Sequence, residues 1–194
     1  MAGNANLILA GVGGGGTGSS LAYFAPQGTA APTDATTALA AAYKDAGWIT
    51  EDGLTRAVAE DSNDISAFGS GAPVRTLVTN SRVTFALGFL ESNPTSLAIY
   101  HRLPLTAITP VATTGAFDLT EGAHRTQKYA AVFEIVDGNN HVRAFAPSVE
   151  VTDRSDLSVT AGSEISYGVT MTAYPGTDGV AVHWFYILDA LKTA

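Results

Sequence analysis

Residues 127–152, QKYAAVFEIVDGNNHVRAFAPSVEVT, carry the clearest β-hairpin signal in the chain. In the first half, Tyr129, Ala131, Phe133 and Ile135 occupy every second position. Alternation with a period of two places such side chains on one face of a strand. The sequence Asp137-Gly138-Asn139-Asn140 favours a tight turn, because Gly and Asn tolerate positive φ. We therefore predict antiparallel strands over 127–136 and 141–152, joined at this turn.

The two-residue period recurs on both sides of this hairpin. Further strands are predicted over 20–25, 48–50, 54–60, 74–79, 82–91, 164–174 and 180–188. Turn-forming sequences separate them, with Asn80-Ser81 between the strands 74–79 and 82–91 and Glu51-Asp52-Gly53 before 54–60. The last strand is more uniformly apolar than the others, which predicts a central position or cover on both faces.

Two short helices are predicted beside these strands. Residues 36–46 are rich in Ala and Leu and are followed by Gly47, a residue type that often ends helices. Asn93-Pro94 combines a capping residue with proline at the first helical position, so that a helix is expected over 95–102. Eight or nine strands with one or two short flanking helices indicate an all-β fold, a β-sandwich or a partly rolled barrel.

The length of 194 residues suits one medium-sized domain. We predict a flexible Gly-rich N-terminal arm over 1–20, in which the apolar tripeptide 7–9 could pair as a short strand before the glycine run 11–18. Residues 21–194 are predicted to form a single domain with a long loop over 26–53.

The composition limits the classes of function. Charged residues make up only 14%, against about 25% in an ordinary globular chain, so the surface is covered by uncharged polar groups or buried against other chains. The net charge is −8 and Lys and Arg do not cluster, which argues against nucleic-acid recognition. The absence of cysteine excludes disulfides and Cys-ligated zinc. We expect no signal peptide and no membrane anchor, and synthesis in a cytoplasm.

The glycine run contains a formal dinucleotide-binding motif. Gly11, Gly13 and Gly16 satisfy G-x-G-x-x-G, and Asp34 lies at a suitable distance for a ribose contact. The motif requires a helix that opens at the third glycine, whose N-terminus binds the pyrophosphate. Because residues 17–26 favour a loop and a strand, we interpret the run as a flexible arm and predict no cofactor.

The other candidate sites favour ordinary structural roles. No two histidines have the spacing of metal ligands on one element; they are His101, His124, His141 and His183. The carboxylate pairs occur at turns and strand ends, where acids are common, and they are Glu51/Asp52, Glu60/Asp61 and Asp153/Asp156. No Gly-x-Ser-x-Gly elbow is present. We predict no catalytic residue, no metal ligand and no enzymatic activity.

Residues 25–34, APQGTAAPTD, resemble the AP-x-GT-x-x-PTD opening of siphophage major tail proteins, also called tail tube proteins. Further segments follow in the order typical of that family, namely GWITEDG at 47–53, DISAFG at 64–69, PVR at 73–75 and FLESNP at 89–94. The resemblance covers residues 21–100 and is mainly architectural over 101–194. The glycine run is not part of the family pattern.

The resemblance implies a β-sandwich flanked by a helix. Subunits of such proteins form rings, typically of six, whose inner sheets join into one β-barrel. The rings stack on a tape-measure protein, between a tail-tip and a tail terminator protein, and phage DNA passes through as non-specific cargo. The virion tail is then the location, with assembly in the bacterial host cytoplasm.

Self-contacts are expected through sheet edges, the 1–20 arm and the 26–53 loop. The candidate contact residues are Leu7, Ile8, Leu9, Pro26, Pro32, Asp34, Trp48, Glu51 and Asp52. The main alternative is another β-rich virion component, such as a head–tail joining, tail-tip or capsid decoration protein. A carbohydrate-binding or hydrolytic β-sandwich is a third class, for which a signal peptide and an exposed aromatic cluster are expected.

Overall fold

One antiparallel β-sheet of eight strands carries the fold in the computed structural model, which describes residues 7–10, 21–122 and 126–192. The strands are β1 (Ala22–Pro26), β2 (Lys44–Asp45), β3 (Thr55–Ser66), β4 (Pro73–Phe89), β5 (Lys128–Asp137), β6 (Asn140–Arg154), β7 (Tyr167–Tyr174) and β8 (His183–Ile187). One α-helix, α1 (Pro94–Tyr100), follows β4, and a 3-10 turn (Asp189–Leu191) follows β8. The predicted all-β class with a short flanking helix is confirmed.

Strand β6 divides the sheet into two parts. The strand order is β2-β1-β5-β6-β7-β4-β3, and β8 pairs with β6 outside this order. The first part of β6, His141 to Phe145, pairs with β8, whereas Ser148 to Arg154 pairs with β7. Pro147 lies between the two stretches and has no N–H to donate. Strand β6 therefore changes its partner from β8 to β7 at Pro147, where the ladder of hydrogen bonds is interrupted.

The hydrophobic core lies between the two parts of the sheet, one with β2, β1 and β5 and the other with β7, β4 and β3. Phe85 of β4 and Phe133 of β5 have ring centroids 4.7 Å apart, although β7 and β6 separate these strands in the sheet. Phe24 of β1 likewise contacts Phe89 of β4 edge to face, at 6.1 Å. Such contacts require the sheet to fold over on itself, and α1 adds the buried Leu97, Ala98 and Ile99 to the same core.

The β5–β6 hairpin matches its prediction. Asp137 pairs with Asn140, and Gly138 in the turn between them has a φ of 60°. Helix α1 is also confirmed, with the Asn93 side chain accepting hydrogen bonds from the N–H groups of Thr95 and Ser96. Local sequence was sufficient for both elements.

The helix predicted over 36–46 is wrong. The chain forms a turn stabilised by the Asp34 carboxylate, which accepts hydrogen bonds from the N–H groups of Thr36 and Thr37. Lys44 and Asp45 then pair with β1 as strand β2. Tertiary contacts with the sheet outweigh a helix propensity of a few tenths of a kcal/mol per residue.

The predicted turn at Asn80-Ser81 is also wrong, because β4 runs without interruption through both residues. Their cross-strand partners are Asp61 and Glu60, so that β3 extends to Ser66, beyond the predicted end at residue 60. The real turn lies near Gly69, whose φ is 83°. Polar cross-strand pairs keep both strands extended here despite their low β propensity.

Further predictions about strands differ from the structure, and two predicted features lie outside the described residues. Strand β8 is predicted to be central or covered on both faces; it is not central, because it pairs only with β6 in the described part of the chain, but Trp184 and Phe185 pack against different core clusters. The predicted strand 48–50 is reduced to a bridge between Ile49 and Phe89. The tripeptide 7–9 forms no strand. The glycine run 11–18 and His124 lie outside the described residues.

Candidate assembly surfaces

The outward face of β4 and β7 carries mainly small side chains. Phe85, Leu87 and Phe89 point into the core, so the intervening residues of β4 point outward. The outward positions of β3, β4 and β7 are Thr55, Ala57, Thr84, Ala86, Gly88, Gly168, Thr170 and Thr172. We name this surface the small-residue face. Its side chains are short and uncharged, unlike those of an ordinary exposed sheet face.

Two glycines on this face are required by close approach. A Cβ atom at Gly168 would lie 2.5 Å from Ser155 Oγ, and one at Gly88 would lie 2.9 Å from Thr50 Cγ2. The Gly168 N–H also donates to Ser155 Oγ, and the Ser155 N–H donates to the Gly168 carbonyl. The chain segments at Thr50 and Ser155 therefore border the face at one end.

Charged side chains stand around the small-residue face and not within it. Glu150 and Asp153 of β6 share its side of the sheet, since their cross-strand partners are Thr172 and Thr170. Lys128 is paired with Glu150, and Arg82 lies beyond Thr84 on the same side of β4. Asp52 contributes to a cavity of about 380 Å³ at the bordered end. The surroundings are close to neutral, with a small excess of acids.

Two strand edges on this part of the sheet have no partner strand in the described part of the chain. Strand β3 is paired only with β4 along its whole length. On the other side, the ladder between β5 and β6 ends at Lys128 and Glu150, so that β6 residues 151–154 have a strand only on their β7 side. An unpaired edge presents N–H and C=O groups to any strand that approaches. The two edges flank the small-residue face.

A buried ion pair fixes the loop between β1 and β2. Arg143 is 4% exposed, and its Nε donates to Glu134 Oε1 at 2.9 Å. Its Nη1 donates to the carbonyl oxygens of Asp34 at 2.7 Å and Thr37 at 2.8 Å. We name these four residues the Arg143 cluster. Charge-assisted bonds of this kind hold a loop in one position on the sheet.

The Asp34 carboxylate completes this loop anchor. Hydrogen bonds from the side chain and the N–H of Thr37, with further ones from Thr36, hold the pKa of Asp34 well below its ordinary value. The loop and Tyr43 help to cover a second face of β5, where Ala130 and Val132 are buried. Sequence alternation did not predict that β5 would be covered on both faces.

The nine predicted contact residues occupy three separate places. Leu7, Ile8 and Leu9 are exposed, and the next residue, Ala10, donates its N–H to Asp137 at the β5–β6 turn. Pro26, Pro32 and Asp34 belong to the end of β1 and the anchored loop, with Pro32 beside a cavity of about 490 Å³. The others are Trp48, Glu51 and Asp52, close to the end of β4. Their role in subunit contacts stays a prediction.

The long β3–β4 hairpin was missed as a surface. Its apolar side chains are exposed, with Phe68 fully so and Val74 and Val78 by about three-fifths. The signal was present in the alternation of 54–60 and 74–79, but the supposed turn at Asn80-Ser81 concealed that these strands pair with each other.

No helix in the described ranges has the length and apolar character needed to cross a membrane. Among these same residues, no group of three or more His, Asp or Glu side chains is placed to hold a metal ion. Two of the histidines pair with single acids, His183 with Asp178 at 2.9 Å and His101 with Glu121 at 2.9 Å.

The small-residue face, its two edges without a partner strand among the described residues and the exposed hairpin are features of an assembling subunit. A family model described as phage tail tube protein matches residues 1–193. The chain belongs to the phage tail tube protein family. The match includes the C-terminal half, where the sequence resemblance is only architectural, and it also includes the glycine run. No curated protein matches the chain significantly.

As a tail tube protein, the chain is a structural component of the phage tail that associates with itself to build the tube. This membership favours the tail tube interpretation over the other virion components and over a carbohydrate-active β-sandwich.

Proposed function

We propose that this tail tube protein closes into rings of six subunits that stack into the conduit for phage DNA, with the small-residue face lining the lumen. The observation that carries the proposal is the position of this face between two strand edges that have no partner strand among the described residues. Joining those edges extends the sheet from one subunit to the next and leaves one uninterrupted surface of small side chains.

The proposed lateral contact pairs β3 of one subunit with residues 151–154 of β6 in the next. Because β6, β7, β4 and β3 alternate in direction, β3 runs antiparallel to β6, so that a rotated copy continues the antiparallel pattern. The two edges differ, which makes the contact heterologous, and a repeated heterologous contact closes into a ring when the rotation permits. Paired edges also remove a surface that would otherwise aggregate.

The lining suits a passing polyanion. Binding to phosphates needs clustered Lys and Arg, whereas the surroundings of this face have Lys128 and Arg82 opposed by Glu150, Asp153 and Asp52. DNA would therefore pass as non-specific cargo. During assembly in the host cytoplasm the same lumen would hold the tape-measure protein, and tail-tip and terminator proteins would close the two ends.

The absence of cysteine gives a direct test of the lateral contact. Ala57→Cys on β3, combined with Asp153→Cys on β6, places two thiols on the same side of the sheet at the two edges. Oxidation of assembled protein should give a ladder of linked subunits that ends at six. Ala59→Cys and Thr55→Cys with the same partner allow for the register, and each single variant is the control.

A ladder that ends at another number would refute the six-fold ring. No ladder from any of the three pairs, in protein that still forms tubes, would refute the pairing of these edges. A separate substitution, Glu150→Lys with Asp153→Lys, should slow DNA ejection from assembled virions. Ejection at the unchanged rate would refute the electrostatic account of the lumen.

A further inference from the structure

Strand β3 carries one of the two edges of the proposed lateral contact, and it has little packing of its own. In the described part of the chain it pairs with β4 alone, and all of its side chains are exposed. A strand held by one ladder can twist and shift more easily than a strand inside a sheet. Side chains that reach from β3 to the opposite layer are therefore the ones that can fix its position.

Arg56 reaches from β3 to strand β8. Its cross-strand partner is Phe85, which is fully buried, so that Arg56 points to the core side of β3. The Arg56 guanidinium lies over the ring of Trp184, 5.7 Å from the ring centroid, which is within the range of a cation–π contact. Among the described residues no carboxylate is paired with Arg56, so its charge is directed to the indole.

The Trp184 ring is held in place by its own neighbours. Trp184 packs against the main core cluster, and its cross-strand partner is the buried Ala144 of β6. The ring of Tyr186 stacks on it, with centroids 6.1 Å apart and planes inclined by 21°. On the other face of β8, His183 stacks on Phe145 at 5.9 Å. The contact with Arg56 therefore ties an exposed edge strand to a well-packed one.

The two strands in this contact belong to opposite layers of the folded sheet. Strand β3 is last in the layer with β7 and β4, which carries the small-residue face, whereas β8 lies beside β6 in the layer with β5. With the small-residue face toward the lumen, the first layer follows the inner arc of a ring and the second layer follows the outer arc. The angle between neighbouring subunits depends on where both layers end, and Arg56 joins the two ends.

We propose that Arg56 is a positioning residue for ring closure, which fixes the β3 edge against Trp184 and thereby sets the rotation between neighbouring subunits. A repeated heterologous contact closes into a ring only when this rotation is correct, and it forms an open helix otherwise. Arg56 acts within its own subunit, because its side chain lies on the core side of β3. This inference rests on the proposed ring function and adds what determines the number of subunits in a ring.

Arg56→Met and Arg56→Lys are a matched pair, since the two side chains are similar in length and only lysine keeps the cation. Each is combined with the lateral cysteine pair that gives the ladder. In Arg56→Met the ladder should end at mixed numbers or continue past six, with about two- to fivefold less product that ends at six, the effect expected from one cation–π contact. Arg56→Lys should still end at six.

Trp184→Leu tests the other half of the contact. It should give the same mixed ladder, and Arg56→Met/Trp184→Leu should be no worse than either single variant, because all three remove one and the same contact. Urea unfolding of the monomers separates positioning from folding. Since Arg56 is exposed, Arg56→Met should unfold at nearly the same urea concentration as Arg56→Lys.

Tryptophan fluorescence tests the contact itself in the monomer. The chain has two tryptophans, so Trp48→Phe leaves Trp184 as the single reporter. In that background, Arg56→Met should increase the quenching of Trp184 by acrylamide, because the guanidinium no longer covers the ring, whereas Arg56→Lys should change it less.

Either of two results overturns this inference: an Arg56→Met ladder that ends at the same number as the Arg56→Lys ladder and as completely, or unchanged quenching of Trp184 in Arg56→Met. Absence of any ladder from protein that keeps Arg56 refutes the pairing of the lateral edges instead. The quenching measurement then still decides whether Arg56 covers Trp184, so the two proposals fail separately.

Discussion

Replacing Arg143 by Ala tests whether the Arg143 cluster holds the β1–β2 loop on the sheet. The substitution leaves Glu134, which is 8% exposed, without its cation and removes the donor to the carbonyls of Asp34 and Thr37. Removing one partner of a buried ion pair costs about 3–5 kcal/mol, because the other charge stays buried and unpaired. We therefore expect the free energy of unfolding to fall by about 3–5 kcal/mol.

The double variant Arg143→Met/Glu134→Leu separates the ion pair from the loop. Apolar replacement of both charges avoids the unpaired carboxylate, and such replacements are often nearly neutral. The loop carbonyls still lose their donor, so the double variant should unfold within about 2 kcal/mol of the unaltered protein while the loop itself loosens.

Urea unfolding measures the first effect, and hydrogen exchange of the loop amides measures the second. Exchange at Thr36 and Thr37 should become faster in both variants, whereas the amides of β5 should be affected mainly in Arg143→Ala. A loss below about 1 kcal/mol in Arg143→Ala, with unchanged exchange at both threonines, would refute the anchoring role.

Tyr129→Phe removes a buried hydroxyl that donates to the Leu103 carbonyl at 2.7 Å, and thermal unfolding should show a loss of about 1–2 kcal/mol; an unchanged midpoint would contradict a structural role for this bond. Gly168→Ala should cost about 1–3 kcal/mol by clashing with Ser155, and addition of Ser155→Gly should recover part of the loss in the same urea assay, which a purely conformational effect of the alanine would not allow. Burial raises the pKa of Tyr43 to about 12 from its ordinary 10.0, so its contribution to stability is complete below pH 10.0 and is lost as the pH rises toward 12. Tyr43→Phe should flatten the fall of stability in that window, and an identical alkaline profile would contradict this assignment.

The elements that sequence predicted correctly depend on neighbouring residues. The β5–β6 hairpin follows from alternation around Asp137-Gly138-Asn139-Asn140, and α1 follows from Asn93-Pro94, because turn and capping chemistry act within a few residues. The outward small residues of β4 were also visible from alternation in 82–91.

The wrong predictions involve partners that are distant in the chain. Residues 36–46 have helical propensity, but Arg143 and β1 use their backbone groups. Asn80 and Ser81 have turn propensity, but Asp61 and Glu60 on β3 pair with them. Strand β8 is apolar because it covers the core next to β6, although β6 is its one partner strand among the described residues.

The candidate surfaces could be predicted only in part for the same reason. The outward residues follow from strand periodicity, whereas the edge at 151–154, which has no partner strand among the described residues, depends on where the β5 ladder ends along β6. The extension of the β3–β4 hairpin depends on β4 continuing past the end of β7. Both are properties of long-range register, which one sequence does not encode locally.

The part of the β3–β4 hairpin that extends past β7, residues 59–82, has a mechanical consequence for the tube. A two-stranded ribbon with solvent on both faces has little packing to resist bending, in contrast to the sheet around the Phe85 and Phe133 core. A ribbon of this kind can bend when the tail curves, while the folded sheet around the aromatic core keeps its shape. Bending would then be taken up outside the cores of the subunits, and the bore of the tube would keep its diameter.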